Sequence, residues 1–177
     1  DIWFNKQVRD ELDYVFDLIH SLNDKAIKKV LAIILSRTMR SCRATTHEDL
    51  ATLVDPVFQP YYCRKHRKIC KPLFTIINWW ERYSVDTLKR LASFNSLRTN
   101  TLQHCFTGDS RDIDVFSTVK EFNPTFFKIL QKQKISGIFS SPPYVGLIDY
   151  HEQHAYAYDM LGFKRRDEEE IGPLSKG

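Results

Sequence analysis

Apolar residues recur at helical spacing in the first forty residues. Val8, Leu12, Val15, Phe16 and Ile19 form one stripe, and Ile27, Val30, Leu31, Ile34 and Leu35 form a second. Asn23 and Asp24 interrupt the pattern and offer a cap between the stripes. The spacing predicts a helical hairpin over residues 1–40 that buries one face. From about Ser41 to Pro72 the periodicity disappears, prolines at 56, 60 and 72 punctuate the chain, and basic residues crowd it. Residues 41–72 therefore read as an irregular, basic insert carried on the surface. Helical spacing returns over 73–100. Phe74, Ile77, Trp80 and Tyr83 mark one helix, and Ser84 is placed to cap another holding Leu88, Leu91 and Phe94.

Residues 101–177 follow a different pattern. Leu102–Thr107 is a short strand candidate that stops at Gly108-Asp109, and Ile135–Ser140 is a second that runs into Ser141-Pro142-Pro143-Tyr144. Between them Asp112–Glu121 reads as a helix, and Asn123-Pro124 restarts one, with Asn as cap and Pro at the first position. Asp149–Leu161 is a helix candidate ended by Gly162. Strand, helix, strand with a polar motif at a strand's carboxyl end is α/β logic, and open α/β sheets bind ligands at that place.

Composition narrows the functional classes. A hydrophobic fraction of 42% with 13% aromatics is enough for a buried core. No apolar run approaches the ~20 residues a membrane span requires. A first residue of Asp followed by mixed charge and aromatics carries no secretory signal, so the expected place is the cytoplasm. The formal charge of +4 permits a polyanionic partner without demanding one. The four cysteines, at 42, 63, 70 and 105, are expected to be free thiols or metal ligands, and Cys105 to lie in the core.

The chemistry concentrates at Ser141-Pro142-Pro143-Tyr144. Two consecutive prolines remove two backbone donors and leave carbonyls with a rigid aim. Ser141 adds a side-chain oxygen and Tyr144 a flat aromatic face. Such a loop suits a planar group with an exocyclic NH2, whose two hydrogens the acceptors take while the ring stacks on Tyr. A nucleobase fits. A proline-rich turn or a peptide ligand for a recognition module fits less well, because the motif ends an apolar strand candidate and Tyr directly follows the second Pro.

This tetrapeptide resembles the catalytic motif of amino-group DNA methyltransferases, in which Asp, Asn or Ser precedes Pro-Pro and an aromatic residue. Ser in first position is typical of cytosine-N4 enzymes, and Asp or Asn is commoner in adenine-N6 enzymes. Gly108-Asp109-Ser110 looks like the family's motif one strand earlier, where an acidic side chain accepts from the adenine amino group of S-adenosylmethionine. Asp149-Tyr150-His151, Arg165-Arg166-Asp167-Glu168 and Glu170-Ile171-Gly172 resemble the segment after the catalytic loop, and Trp3-Phe4 with Glu11-Leu12 a helical stretch upstream. The likeness is specific from about 105 to 172.

The resemblance implies a Rossmann-like, S-adenosylmethionine-dependent domain, with 101–177 as its catalytic half. Ser141 Oγ and the Pro142 carbonyl would accept the hydrogens of the target amino group, with Pro143 fixing the loop and Tyr144 stacking on the base. Gly108, Asp109 and Ser110 would serve the cofactor. The partners implied are double-stranded DNA with the target base flipped out and, as such enzymes can have, a cognate restriction endonuclease in a prokaryotic cell. The family's Phe-x-Gly-x-Gly cofactor loop is missing: the six glycines, at 108, 137, 146, 162, 172 and 177, include no such pair. The chain is therefore expected to be a fragment, inactive alone and a weak binder of the cofactor.

The insert adds two candidates. Cys63, His66 and Cys70 form Cys-x2-His-x3-Cys, with Cys42 or His47 as a fourth ligand, and structural zinc takes four such ligands. Ordinary buried cysteines are the alternative. Arg64, Lys65, Arg67, Lys68 and Lys71 surround these residues, with Tyr61 and Tyr62 before them and Arg40 and Arg43 nearby. Basic residues among aromatics suit DNA phosphates and groove edges, and a solvated loop has the same composition. A non-catalytic, zinc-stapled nucleic-acid-binding domain is thus the competing function. His151-Glu152-Gln153-His154 is no metalloprotease site, since its histidines are three apart rather than four.

Overall fold

The computed structural model of the chain describes residues 3–47, 56–72, 74–106, 108–109, 111–133, 135–141 and 150–169. Pro142, Pro143, Tyr144, Ser110, Asp149 and Glu170-Ile171-Gly172 lie outside the described residues. The chain forms two compact units, Asp1–Ala92 with Pro143–Gly177, and Ser93–Pro142. This division cuts across the four segments expected from the sequence.

In the first unit the expected helical hairpin forms as α1 (Lys6–Ser21) and α2 (Lys25–Ser41). The Asn5 side chain accepts from the Gln7 N–H at 3.0 Å and starts α1. Asp24 accepts from the N–H groups of Ala26 and Ile27 at 2.8 and 3.0 Å and starts α2. These caps satisfy donors that the first helical turn leaves without partners. The buried face of α1 is Val8, Leu12 and Ile19, and that of α2 is Ile34, Leu35, Thr38 and Met39. Thr38 is tolerated there because its hydroxyl donates to the Ile34 carbonyl at 2.9 Å.

The core of this unit joins Trp3, Phe4, Val8, Leu12, Leu35 and Met39 to Ala155, Tyr156 and Met160 near the carboxyl end. The last three lie on α7 (Ala155–Leu161), which follows the single turn α6 (Tyr150–Gln153). The expected helix over 149–161 is thus two short ones. It ends as expected at Gly162, whose φ of 66° is the left-handed conformation that terminates helices. Arg9 donates to Asp159 at 2.8 Å and ties α1 to α7. The guanidinium of Arg43 lies 4.6 Å from the Tyr156 ring centroid.

Two expectations for the middle of the chain need correction. The insert is not wholly irregular: β1 (Tyr61–Cys63) pairs antiparallel with β2 (Lys68–Cys70), in the register Tyr61–Cys70, Tyr62–Ile69 and Cys63–Lys68. Ser84 starts no new helix. One continuous α3 (Ile76–Leu97) runs through it, because Ile76, Tyr83 and Thr87 stay in phase on one face. Arg37 of α2 holds that face, donating to Asp86 at 2.6 Å and Thr87 at 3.2 Å.

The second unit holds the end of α3, α4 (Val115–Phe122) and α5 (Pro124–Lys132). Helix α4 begins at Val115 rather than Asp112 because Asp114 caps it, accepting from the N–H groups of Phe116 and Ser117. Helix α5 starts at Pro124 under the Asn123 cap, as the sequence predicts. The strand candidates Leu102–Thr107 and Ile135–Ser140 form no ladder among the described residues. Their apolar side chains stand in solvent, Ile138 89% and Phe139 fully exposed, and Cys105 is exposed rather than in a core. A strand exists only where a neighbour takes its backbone N–H and C=O groups, and these segments find none here. Among the described residues no helix is long and apolar enough to cross a membrane.

Candidate functional site

A cleft of about 800 Å³ opens in the first unit beside the β1–β2 hairpin. Arg37, Arg40 and Arg43 line it from α2 and the residue stretch after it, and Lys65, Lys68 and Lys71 from the hairpin. Tyr61, Trp79 and Tyr83 supply aromatic faces, and no carboxylate lines it among the described residues. Arg37 lies 4.3 Å over the Tyr83 ring, Ser41 Oγ is 2.6 Å from the Tyr83 hydroxyl, and Trp79 stacks on Tyr83 at 5.5 Å. The wall is therefore a packed aromatic and cationic surface rather than a loose charged loop. The buried Trp79 indole N–H has no acceptor among the described residues.

Three of the five basic residues singled out from the sequence, Lys65, Lys68 and Lys71, line this cleft, while Arg64 and Arg67 stand exposed on the hairpin turn. The α2 arginines complete it. Arg40 and Arg43 were legible as nearby charge. Arg37 was not, because its helical position gave no sign of which way it faced. A larger hollow of about 1010 Å³, between α1, α2 and the start of α3, is mainly apolar, with Lys6, Asp10 and Glu11 among its lining residues.

The hairpin also gathers a cluster of metal-ligand type. Ligand atoms of His47, Cys63, His66 and Cys70 all lie within 4.8 Å of one another. His66 Nδ1 is 3.6 Å from Cys63 Sγ and 3.5 Å from Cys70 Sγ. The His47 and His66 rings meet edge-on at 4.6 Å. Burial, then the neighbouring His66, Lys65 and Lys68, holds the His47 pKa below its usual value. The expected candidate Cys42 is not in this cluster. It lies fully buried in the helical core, where burial and the Glu11 charge push its thiol up to about 12. His47 takes the fourth place.

Of Gly108-Asp109-Ser110 and Ser141-Pro142-Pro143-Tyr144, three residues are described. Gly108, Asp109 and Ser141 are in the second unit and exposed. Asp109 accepts from the Arg111 backbone N–H at 2.9 Å and forms an ion pair with the Arg111 guanidinium. Both carboxylate oxygens of Asp109 are thus engaged by Arg111. A Cβ on Gly108 would come within 2.8 Å of Ile113 Cδ1, the flexible end of that side chain. Ser110, Pro142, Pro143 and Tyr144 remain outside the described residues.

Type II methyltransferase M.MjaII of Methanocaldococcus jannaschii is 50% identical to this chain over 175 residues, covering 99% of this chain and 33% of that protein. The chain thus spans about a third of the length of that relative. No family model matches the chain, and no solved structure does. The similarity to a type II methyltransferase thus runs along nearly all of this chain.

Proposed function

We propose that this chain is part of a site-specific DNA methyltransferase that moves a methyl group to the exocyclic N4 of cytosine. The single observation carrying the proposal is the 50% identity over 175 residues to a type II methyltransferase. Ser141 at the head of Ser141-Pro142-Pro143-Tyr144 favours cytosine over adenine.

S-adenosylmethionine, when bound, supplies the electrophilic methyl group. The work of this chain's residues is positioning. The amino nitrogen of cytosine is a weak nucleophile because its lone pair is delocalised into the ring. Accepting both N–H hydrogens, at Ser141 Oγ and the Pro142 carbonyl, favours a more tetrahedral nitrogen with its lone pair available. In-line attack then needs orientation more than acid–base help. Tyr144 stacks on the flipped base, returning about 1–3 kcal/mol of the unstacking cost. Asp109 and Gly108, with Ser110, hold the cofactor's adenine and take no part in the transfer.

The basic cleft is the natural seat for DNA. The cleft lysines and arginines attract phosphates, though Arg37 is already paired with Asp86, and the Tyr61, Trp79 and Tyr83 faces suit sugar and base edges. The Rossmann-like fold belongs to the same reading. In a protein of the relative's length, further strands would give Leu102–Phe106 and Ile135–Ser140 the partners they lack here. The setting is the cytoplasm of a prokaryotic cell, with a cognate endonuclease as the expected companion.

Nucleoside analysis tests the proposal. DNA treated with the product of the complete gene and S-adenosylmethionine should contain N4-methylcytosine. N6-methyladenine would replace the cytosine assignment. DNA that is bound but carries no methylated base would select the competing reading, a non-catalytic nucleic-acid-binding domain, which the cleft and the His/Cys cluster alone also suit.

A further inference from the structure

We propose that His47, Cys63, His66 and Cys70 bind one zinc ion, and that this ion fixes the hairpin wall of the basic cleft. The inference does not rest on the methyltransferase reading, because it stands on the geometry of four side chains.

The ligand set comes first. Two thiols and two imidazoles in one cluster are a Cys2His2 set, which selects tetrahedral zinc among the divalent ions. Both cysteines are free and buried, so they are available as ligands. Zinc binding expels two thiol protons, and the two thiolates then neutralise the ion's double charge.

The distances agree. A tetrahedral zinc with nitrogen at about 2.0–2.1 Å and sulfur at about 2.3 Å places those ligand atoms about 3.5–3.6 Å apart. His66 Nδ1 lies 3.6 and 3.5 Å from the two sulfurs. The His47 edge of the tetrahedron needs only a small closure, since all four ligand atoms are already within 4.8 Å.

Local structure brings them there. In the hairpin register Cys63 and Cys70 fall on one face, together with Tyr61 and Lys68. Arg67 has a φ of 52°, in the left-handed region rarely used by residues with a side chain. That turn carries His66 back toward the two sulfurs. Tyr61 then acts on His47. Its hydroxyl accepts from the His47 backbone N–H at 2.7 Å and lies 2.9 Å from His47 Nδ1. With Nδ1–H donating to that oxygen, Nε2 keeps its lone pair for the metal. An outer partner of this kind sets the tautomer of a metal-binding histidine.

The hairpin needs the ion. Its strands are three residues each, and an isolated pair so short is marginal in water. The outward pair Tyr62 and Ile69 is 62% and 66% exposed, so only the two cysteines are buried. A zinc ion would link this hairpin to His47 after α2, and so hold Lys65 and Lys68 opposite Arg40.

Elemental analysis of the purified, reduced chain should find one zinc per molecule. Cobalt replacing that zinc should give the strong visible bands of tetrahedral coordination and a thiolate charge-transfer band. Cys63→Ser and Cys70→Ser should lose the metal, and Cys42→Ser should keep it. Tyr61→Phe should weaken zinc binding about 10–100-fold. The cobalt spectrum of the unaltered chain decides the matter even if the cysteine variants fail to fold. A chain that takes up neither ion, a cobalt spectrum without thiolate bands, or zinc lost as fully in a folded Cys42→Ser would each overturn the proposal.

Discussion

The two units treat their apolar residues in opposite ways. The first buries Phe4, Leu12, Leu35 and Met39 to 2% exposure or less around a capped helical hairpin. The second buries Val119 alone among its described hydrophobic residues and leaves Ile135, Ile138 and Phe139 in solvent. Yet the second carries Ser141 and Asp109, and the first carries the cleft and the His/Cys cluster. Helices satisfy their own backbone and need only a face to bury. Strands need a neighbour before they exist, and Leu102–Phe106 and Ile135–Ser140 pair with none among the described residues. Under the proposed function, the cleft of the first unit would contact DNA and Ser141 of the second would accept a hydrogen of the target amino group.

The comparison can be broken at its strongest point first. Leu12→Ala removes a fully buried side chain and should cost about 2–5 kcal/mol in chemical denaturation. Phe139→Ala in the same 177 residues should change stability by no more than about 0.5 kcal/mol, because the ring is already fully in solvent. Equal losses from the two substitutions would mean that the second unit has a core of its own.

The division of labour gives an intermediate effect. Replacing Lys65, Lys68 and Lys71 together by Ala should flatten the dependence of log affinity for DNA on log salt, by about 0.9 for each phosphate these lysines neutralise. The variant must first show unchanged zinc content and melting temperature. An unaltered slope would return the hairpin to the role of a solvated loop.

The smallest effect is the α2–α3 ion pair. Hydrogen bonds from Arg37, then Arg90, hold the Asp86 carboxyl below its usual pKa. A carboxylate with a lowered folded pKa stabilises above its ordinary value, about 3.9, and that contribution is lost as pH falls toward the folded value. Asp86→Asn should therefore lower the melting temperature slightly near neutrality, and the difference from the unaltered chain should vanish in acid. The pair is partly solvent-exposed, so the shift should be small. A difference that grows on acidification would contradict this sign.

The elements legible in the sequence were those with local causes. The α1 and α2 stripes, the Asn123-Pro124 start and the Gly162 stop each depend on residues a few positions apart. Ser84 misled because a capping residue acts only where the chain breaks, and the stripe through Ile76, Tyr83 and Thr87 does not break. The β1–β2 hairpin was hidden because its three-residue strands are too short to show alternation. At the cluster, Cys63, His66 and Cys70 were visible as a spacing, but the choice of His47 over Cys42 was not. That choice depends on Met39 and its neighbours enclosing Cys42, which no local pattern reports.

The most direct test of the account is the methylation rate of Ser141→Ala in the product of the complete gene, with DNA affinity measured alongside. The proposed role of Ser141 is to accept a hydrogen from the target amino group, not to hold DNA. The account predicts a loss of turnover on the order of 100-fold, as for removal of a positioned hydrogen-bonding group elsewhere, with the salt dependence of DNA binding unchanged. Unaltered turnover in that variant would contradict it.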